Sequence, residues 1–265
     1  MKTVLVVGAG NMGEALANSS FKNQPDVKLI LLEVNKDRVK FLNNKGYEVY
    51  DDQNRLDLNL VDVVLLAVKP QHASPIIKGF ACKLKKSTLW LSIMAGKSVD
   101  SISQIENVEK VVRLMPNLPT LVGGGTIGVY ANGLVGQDEK NWLDKCLSVS
   151  NKVIWVEKED GIDAVTSISG SGPAYVMYFM NAMFESALDK GFPKPEAMLL
   201  VNQTFRGSLD LLSENNLDYL DWISAIKSKG GTTEAALDCF NANKLNEIIK
   251  KGTSAAYQRA KELAT

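Results

Sequence analysis

The stretch VLVVGAGNMGEAL, residues 4–16, decides the fold of this chain. It begins with a short aliphatic run that is typical of a buried strand. Gly8, Gly10 and Gly13 follow in the pattern GxGxxG and lead into residues 11–21, which have helical periodicity. A strand, this glycine pattern and a helix in succession are typical of a loop that binds the pyrophosphate of a dinucleotide. A glycine-rich turn without a ligand is the alternative, and the strand–helix context disfavours it.

Each glycine of the loop has its own physical task. The first permits the tight turn, the second lets a backbone approach the pyrophosphate, and the third allows close packing of helix on strand. The amides that open the following helix present a partial positive charge to the phosphates. We therefore assign the whole loop to cofactor binding: Gly8, Ala9, Gly10, Asn11, Met12 and Gly13.

Glu33 lies twenty residues beyond Gly13, at the end of the second predicted strand. An acidic residue at this place hydrogen-bonds a ribose 2′-hydroxyl and repels a 2′-phosphate, which favours NAD(H). Lys36 and Arg38 follow closely, and basic side chains there accept a 2′-phosphate, which favours NADP(H). A solvated carboxylate at a strand end is the other interpretation of Glu33. The sequence leaves the choice of cofactor open.

The first half of the chain alternates strand-like and helix-like segments, which predicts an α/β fold with a doubly wound sheet of the Rossmann type. We place this dinucleotide-binding domain at residues 1–157. The candidate strands cover residues 3–7, 28–32, 61–68, 88–93 and 111–114, with residues 128–131 and 153–156 as edge strands.

No convincing alternating strand follows Glu157, and we predict an all-helical domain at residues 158–265. The predicted helix that starts at Ala174, AYVMYFMNAMFESALDKG, is apolar on most of its faces. Such a helix must be covered on every side. It is either the central core helix of its own domain or is partly covered by a second subunit. We favour the second subunit, because a domain of roughly 100 residues has few other faces to offer.

Composition excludes several functional classes. Lys+Arg and Asp+Glu each number 30, so the net charge is zero and nucleic acid is not an expected partner. No apolar run reaches the roughly 18 residues that a membrane-spanning helix needs. The single histidine, His72, excludes a multi-histidine metal site, and we predict no metal. Cys82, Cys146 and Cys239 lie far apart, which fits a reducing cytoplasm rather than a disulfide framework.

Three residues follow predicted strands at the point where each strand ends. They are Lys69 after the strand at residues 61–68, Ala95 after the strand at 88–93 and Asn117 after the strand at 111–114. Ligands of open α/β sheets bind at the carboxyl ends of the strands, so we expect these residues near the cofactor. For Lys69, a surface lysine before a loop is an equally good interpretation.

Five stretches together resemble the pyrroline-5-carboxylate reductase family. They are VVGAGNMGEAL at residues 6–16, AVKP at 67–70, RLMPNLPTLVGGG at 113–125, DAVTSISGSGPAY at 163–175 and GGTTEAAL at 230–237. They span nearly the whole chain in the family's order and spacing. The first two are shared with many dehydrogenases, whereas the MPN and SGSGPAY stretches are far more specific.

The resemblance implies an architecture and a reaction. The architecture is a Rossmann domain followed by a helical dimerisation domain, with a homodimer of interlaced helices and dimers that often associate further, commonly into decamers. The active site lies between the two domains, with the helical part supplied by the partner subunit. The reaction is NAD(P)H-dependent reduction of 1-pyrroline-5-carboxylate, a cyclic imine carboxylate, to L-proline, the last step of proline biosynthesis. By resemblance the cofactor is NADP(H).

The resemblance also implies roles for individual residues. Thr233 is the catalytic residue that hydrogen-bonds the ring nitrogen. The carboxylate is held by Ser228, Thr232 and Thr233 together with Gly230 and Gly231, whose amides suit an anion because they open a helix. Without the resemblance, a loop with a threonine N-cap is the simpler interpretation. On the cofactor side the resemblance marks these residues: Asn35 or Lys36 near the adenosine ribose, and Asn54, Val68, Lys69 and Ala95.

Departures from the family pattern flank the expected carboxylate pocket. Ser228-Lys229-Gly230-Gly231 replaces the usual Ser-Pro-Gly-Gly, and Trp222-Ile223-Ser224 replaces Leu-Lys-Asp. Losing the proline loosens the loop and Lys229 adds a charge. Two alternatives therefore stand beside the reductase: a related imine or ketone reductase with another substrate, and a non-catalytic nucleotide-binding regulatory protein. Retention of the GGTT and SGSGPAY stretches disfavours the regulatory protein.

Overall fold

The computed structural model describes residues 1–214 and 218–263. The chain divides into two compact units, one of Met1–Ser171 with Ala256–Thr265 and the other of Gly172–Ala255. The predicted division into domains at residues 1–157 and 158–265 stays a prediction.

One eight-stranded sheet forms the centre of the first unit. Its strands are β1 (Lys2–Val7), β2 (Val27–Leu32), β3 (Glu48–Tyr50), β4 (Val63–Leu66), β5 (Leu89–Ser92), β6 (Lys110–Pro116), β7 (Gly125–Ala131) and β8 (Asn151–Trp155). They lie in the order β3-β2-β1-β4-β5-β6-β7-β8. All neighbouring pairs are parallel except β6 and β7, which are antiparallel. The order reverses beside β1, and ligands of such sheets bind in the crevice at this point.

Strand β1 shows why the sequence forms a sheet covered on both faces. Val4 and Val6 belong to the core cluster on one face, and Leu5 and Val7 to the cluster on the other. Side chains of a strand point alternately to opposite faces, so a strand buried on both sides must be apolar without interruption. The glycine loop begins directly at the end of this buried strand, which fixes its position.

Helices connect these strands. They are α1 (Asn11–Leu16), α2 (Lys36–Asn44), α3 (Pro70–Ala81), α4 (Val99–Ser103), α5 (Gln137–Leu147) and α6 (Asp160–Val165). Short 3₁₀ turns cover Gln53–Arg55, Leu58–Leu60 and Leu118–Val122, and π-helical turns cover Ala17–Phe21 and Thr166–Gly170. The prediction of an α/β Rossmann-type sheet is confirmed by this architecture.

The described chain from Gly172 onward is helical. Its helices are α7 (Gly172–Asp189), α8 (Lys194–Glu214), α9 (Tyr219–Ile226), α10 (Thr232–Ala242) and α11 (Leu245–Leu263). Gly191 has a positive φ of 87° and lies just beyond α7, as expected for the residue that ends a helix. The Asp218 carboxylate accepts from the Asp221 amide at 2.9 Å and so caps α9.

Helix α7 presents a large apolar surface in the single chain. Every residue of the helix is exposed or only partly buried, and Tyr178 and Met177 are 82% and 62% exposed. Exposed apolar surface of this extent marks an interaction face. None of the described helices combines the length and the apolarity that crossing a membrane requires.

Several elements differ from the sequence predictions. The helix predicted over residues 11–21 is α1 followed by a π-helical turn, in which the Lys22 amide donates to the Ala17 carbonyl at 2.8 Å. The strand predicted over residues 61–68 is limited to Val63–Leu66, the part that pairs with β1. Strand β3 was not predicted, because three residues are too short for a visible alternation.

Candidate active site

The glycine loop fits a dinucleotide backbone. Gly8 has a φ of +88°, and a Cβ atom there would lie 2.7 Å from Cγ1 of Val68. A Cβ atom on Gly13 would overlap the carbonyl oxygen of Gly8. The packing of the protein itself therefore requires these two glycines. Gly10 differs, because a Cβ atom there meets no heavy atom within 4 Å. The backbone at Gly10 therefore borders open space, as the approach of a pyrophosphate requires.

A cleft of about 480 Å³ adjoins this loop. It brings together the predicted residues Gly10, Asn11, Glu33 and Asn35, and its complete lining is Gly10, Asn11, Glu33, Asn35, Asp37, Arg38 and Phe41. The loop comes from the end of β1, Glu33 from the end of β2 and the other residues from the start of α2. The cleft therefore lies where the sequence predicts the adenosine end of a dinucleotide.

Glu33 is fixed by local hydrogen bonds. Its Oε1 atom accepts from the Asn35 amide at 2.9 Å. The Asn35 Oδ1 atom in turn accepts from the Arg38 amide at 3.0 Å and caps α2. The carboxylate of Glu33 therefore stands at the junction of β2 and α2, on the wall of the cleft.

Arg38 ties the start of α2 to the glycine loop. Its Nε atom donates to the Ala9 carbonyl at 2.9 Å, and its Nη2 atom donates to the Glu14 carboxylate. Lys45 also reaches Glu14, with Nζ at 2.7 Å. Burial raises the pKa of Glu14, but Lys45 and Arg38 outweigh burial and hold the pKa below its usual range. Arg38 is thus already paired with a carboxylate of the protein, which it shares with Lys45.

The other predicted cofactor residues lie in different places. Val68 packs beside Gly8, Lys69 is the exposed residue that precedes α3, and Ala95 is exposed next to Gly96 at the end of β5. Asn54 lies in a 3₁₀ turn and lines a separate cleft of about 410 Å³ with Asp57, Cys82 and other residues.

Met12 and Lys36 complete the predicted set. Met12 is partly buried at the start of α1, and Lys36 is the exposed first residue of α2, outside the lining of the glycine cleft. The cofactor roles of these residues stay predictions.

Two of the most specific stretches of the sequence meet at Asn117. This buried side chain stands at the end of β6, where its Nδ2 atom donates to Ser169 and its Oδ1 atom accepts from the Thr126 amide at 2.9 Å. The MPN stretch is thereby joined to the SGSGPAY stretch. The link between the two stretches is not visible in the sequence, because they are separated by about 50 residues.

The predicted substrate loop lies at the start of α10. Its N-cap residue is Gly231, so the alternative of a threonine N-cap is wrong. Thr232 and Thr233 instead form the first turn of the helix, where backbone amides lack intrahelical partners. Gly230 has a φ of +74°, and a Cβ atom on Gly231 would overlap the hydroxyl of Ser228. The structure thus brings Ser228, Gly230, Gly231 and the two threonines into one loop.

Glu234, in the first turn of α10, also contacts this loop, a contact that the sequence did not predict. Its Oε2 atom accepts from the Gly230 amide at 2.7 Å, and its Oε1 atom lies 3.5 Å from Nζ of Lys227. The amide of Gly230 lowers the pKa of Glu234, and Lys227 lowers it further against the opposing effect of burial. The signal in the sequence is an acidic residue three positions after the N-cap, the spacing of a capping box.

The sheet order, the glycine loop and its cleft define a Rossmann-type oxidoreductase that takes a nicotinamide dinucleotide. Residues 3–96 match the family model described as NADP oxidoreductase, coenzyme F420-dependent. Residues 159–263 match the model described as pyrroline-5-carboxylate reductase dimerisation. The chain is 31% identical to the pyrroline-5-carboxylate reductase of Haemophilus influenzae over 268 residues, which covers 100% of this chain and 98% of the relative. The chain belongs to the pyrroline-5-carboxylate reductase family.

Solved structures agree with this membership. The pyrroline-5-carboxylate reductase of Coxiella burnetii superposes with a TM-score of 0.90 at 32% identity, covering 99% of this chain and 98% of that one. The pyrroline carboxylate reductase of Plasmodium falciparum, solved with NADP bound, has a TM-score of 0.86 at 26% identity and covers 100% and 98% of the two chains. The resemblance noted in the sequence is thereby confirmed.

Proposed function

We propose that this protein reduces 1-pyrroline-5-carboxylate to L-proline with a reduced nicotinamide dinucleotide. The observation that carries the proposal is the family membership over the full length of the chain, whose sequence contains both a glycine loop and a GGTT loop. The first loop suits a pyrophosphate and the second suits a carboxylate, so the chain has a place for each reactant.

The reaction joins a hydride and a proton to a C=N bond. When bound, the reduced nicotinamide supplies the hydride to the imine carbon, and the ring nitrogen carries the proton. Thr232 and Thr233 offer backbone amides at the start of α10, which hold the carboxylate. The Thr233 hydroxyl accepts a hydrogen bond from the protonated ring nitrogen and orients the C=N bond. A protonated imine is already electrophilic, so alignment is the main task of the protein.

An absorbance assay at 340 nm tests the proposal. Purified protein, pyrroline-5-carboxylate and NADH or NADPH should give loss of the reduced cofactor and formation of L-proline. Thr233→Ala should lower kcat/KM by about 10-fold or more without changing cofactor affinity, since one hydrogen bond that orients the reacting group is lost. Thr233→Ser keeps the hydroxyl and should retain most of the activity.

The same assay separates the alternatives. Turnover restricted to other imines or ketones would favour a reductase with an altered substrate. Cofactor binding without turnover of any imine or ketone would favour the regulatory protein and would overturn the proposal.

We propose that NADH is the preferred cofactor. The resemblance to the family favours NADP(H), whereas the charges of this cleft support the opposite choice. Glu33 and Asp37 line the cleft, and the nearby guanidinium of Arg38 is already paired with Glu14. A 2′-phosphate would therefore meet carboxylates and an arginine whose Nε and Nη2 already donate to Ala9 and Glu14, whereas a ribose hydroxyl would find an acceptor in Glu33.

We propose that the functional unit is a homodimer formed through the helical domain, and that dimers associate further into a decamer. The apolar exposed surface of α7 and the match to a dimerisation domain support the dimer. The decamer is an inference from the resemblance. Light scattering after size-exclusion chromatography distinguishes a monomer, a dimer and a decamer by mass.

We also propose that the protein works in the cytoplasm. Cys82, Cys146 and Cys239 are unpaired thiols, which suits a reducing compartment. Burial raises the pKa of the Cys146 thiol to about 11, so this thiol stays protonated and unreactive at neutral pH. Fractionation of the source cells, with detection by an antibody, tests the location.

A further inference from the structure

We propose that Glu234 is a positioning residue that holds the turn at residues 228–231 in the shape that receives the substrate carboxylate. The inference rests on the proposed function, because it assigns a task within the same loop. It concerns a side chain that neither the reaction nor the glycine loop explains.

The turn lacks the residue that its geometry favours. The Gly231 amide donates to the Ser228 carbonyl at 3.0 Å, and Gly230, the third residue of the turn, has a φ of +74°. Among the described residues, the positive φ angles outside glycine are at Asn107 and Lys244, so Lys229 has the ordinary sign. A positive φ at the third residue together with this hydrogen bond is the pattern of a type II turn, whose second position favours proline because the ring fixes φ. Lys229 provides no such restraint.

Glu234 provides a restraint from outside the turn. It projects from the first turn of α10 and accepts from the Gly230 amide at 2.7 Å. The same carboxylate lies 3.5 Å from Nζ of Lys227, the residue that precedes the turn. The Glu234 side chain therefore contacts the turn at its third residue, Gly230, and also contacts Lys227, which precedes the turn. A carboxylate bond to a backbone amide is a charge-assisted hydrogen bond, which is stronger than a neutral one.

The hydrogen bond to Glu234 also determines which backbone amides of the loop are left to bind a substrate. The Gly230 amide is committed to Glu234 and the Gly231 amide to Ser228. The first intrahelical bond of α10 runs from the Ala235 amide to the Gly231 carbonyl at 3.2 Å. The amides of Thr232 and Thr233 precede it and stay available for an anion. Lys227 partly offsets the negative charge of Glu234. The repulsion between Glu234 and an incoming substrate carboxylate is therefore reduced.

Steady-state kinetics of loop variants test the proposal. Glu234→Ala should raise the KM for pyrroline-5-carboxylate about 10-fold, because the loop must then be ordered at the expense of binding energy. The KM for the dinucleotide should stay unchanged, and kcat should fall by no more than about threefold, since the reacting groups are unaltered. Glu234→Gln keeps an acceptor for Gly230 but loses the Lys227 pair, so its KM should be intermediate.

Rescue by proline separates positioning from a general structural role. In the described residues the Lys229 amide donates no hydrogen bond, so Lys229→Pro removes none. The double variant Glu234→Ala with Lys229→Pro should recover a KM within about threefold of the parent, because proline presets φ at this position. The matched control, Glu234→Ala with Lys229→Ala, removes the same lysine charge without fixing φ and should not recover.

The outcomes are distinct. An unchanged KM in Glu234→Ala, or equal rescue by proline and alanine, would overturn the positioning role. A loss of kcat and melting temperature that proline does not reverse would make Glu234 a structural residue of the helix and would also overturn it. If the parent protein shows no turnover, the proposed function fails and the inference falls with it. If the parent is active but the variants do not show the expected changes in KM, the positioning role of Glu234 is refuted and the proposed function stands.

Discussion

Asn117 holds Ser169 through two hydrogen bonds from a single amide nitrogen. The Nδ2 atom lies 3.0 Å from the hydroxyl and 3.2 Å from the carbonyl oxygen of Ser169. Asn117 directly follows β6 and is only 8% exposed, whereas Ser169 belongs to the π-helical turn that precedes α7. The opposite side of the same amide accepts from the Thr126 amide on β7. One side chain thus joins two strands and the start of the helical segment.

Replacing Asn117 by Ala should destabilise the protein by about 1–3 kcal/mol, because three hydrogen bonds are lost and the Thr126 amide loses its partner. Ser169→Ala is the matched control: the carbonyl acceptor remains, so the loss should be below about 1 kcal/mol. Urea unfolding followed by circular dichroism measures both. Equal stability of Asn117→Ala and the parent would show that the bonds contribute nothing.

Replacing Glu33 by Gln should shift the cofactor preference toward NADPH. Glutamine keeps an acceptor for the Asn35 amide but removes the charge that faces a 2′-phosphate. The ratio of kcat/KM for NADH to that for NADPH should fall by about 10-fold, since the 2′-phosphate is then no longer repelled. Glu48→Gln, on the short edge strand β3, removes one negative charge outside the cleft and should leave the ratio unchanged. A parent that prefers NADPH would refute the assignment of NADH.

The ion pairs of Glu14 should make stability depend on pH in a defined direction. The pKa of this carboxyl is lower in the folded protein than its ordinary value of 4.5. Its contribution is therefore complete above the ordinary value and is lost as the pH falls through the folded value. The melting temperature of Glu14→Gln should lie below that of the parent at pH 7, and the difference should shrink as the pH falls below 4.5 and through the lowered pKa of the folded protein.

A difference that stays constant down to the lowest pH at which the parent remains folded would mean that the ionised carboxylate is not the source of the effect. At pH 7 the expected cost is about 1–2 kcal/mol, as for a partly buried hydrogen-bonded charge. Glu48→Gln again serves as a control, because the Glu48 carboxylate makes two exposed contacts, a pair with Lys28 at 3.7 Å and a hydrogen bond from the Tyr50 hydroxyl at 3.0 Å, and exposed contacts of this kind contribute little.

Tyr178 offers a direct test of the dimer. Tyr178→Glu places a charge at the most exposed position of the apolar face of α7 and should convert the assembly to monomers, because an unpaired charge is costly in a buried interface. Val149→Glu is the control: this valine is also exposed but lies between α5 and β8. Light scattering should report an unchanged mass for the control. An unchanged mass for Tyr178→Glu would place the interface elsewhere.

The sequence could predict what depends on local pattern. The apolar run of β1 and the glycine spacing are local features, and the strand predicted over residues 28–32 lies within β2 (Val27–Leu32). Strand direction is not local. Nothing in residues 125–131 distinguishes an antiparallel strand from a parallel one, because both show the same alternation.

Side-chain partnerships were predicted less well for the same reason. Arg38 was recognised as a basic residue beside the cofactor, but its bonds to Ala9 and Glu14 depend on the packing of α2 against the glycine loop. Asn117 was placed at a strand end, but not beside Ser169. Such contacts join residues that are distant in sequence, and one sequence alone contains no signal for them.

The exposed face of α7 makes concentration a structural variable for this protein. In the proposed homodimer a partner covers this face, so association and folding of this part of the chain share one free energy. By mass action, dilution then favours dissociation of the dimer. Dissociation destabilises this part of the chain before any hydrogen bond within the chain is broken. In the proposed dimer, the protein concentration therefore sets the fraction of chains in which the apolar face of α7 is covered.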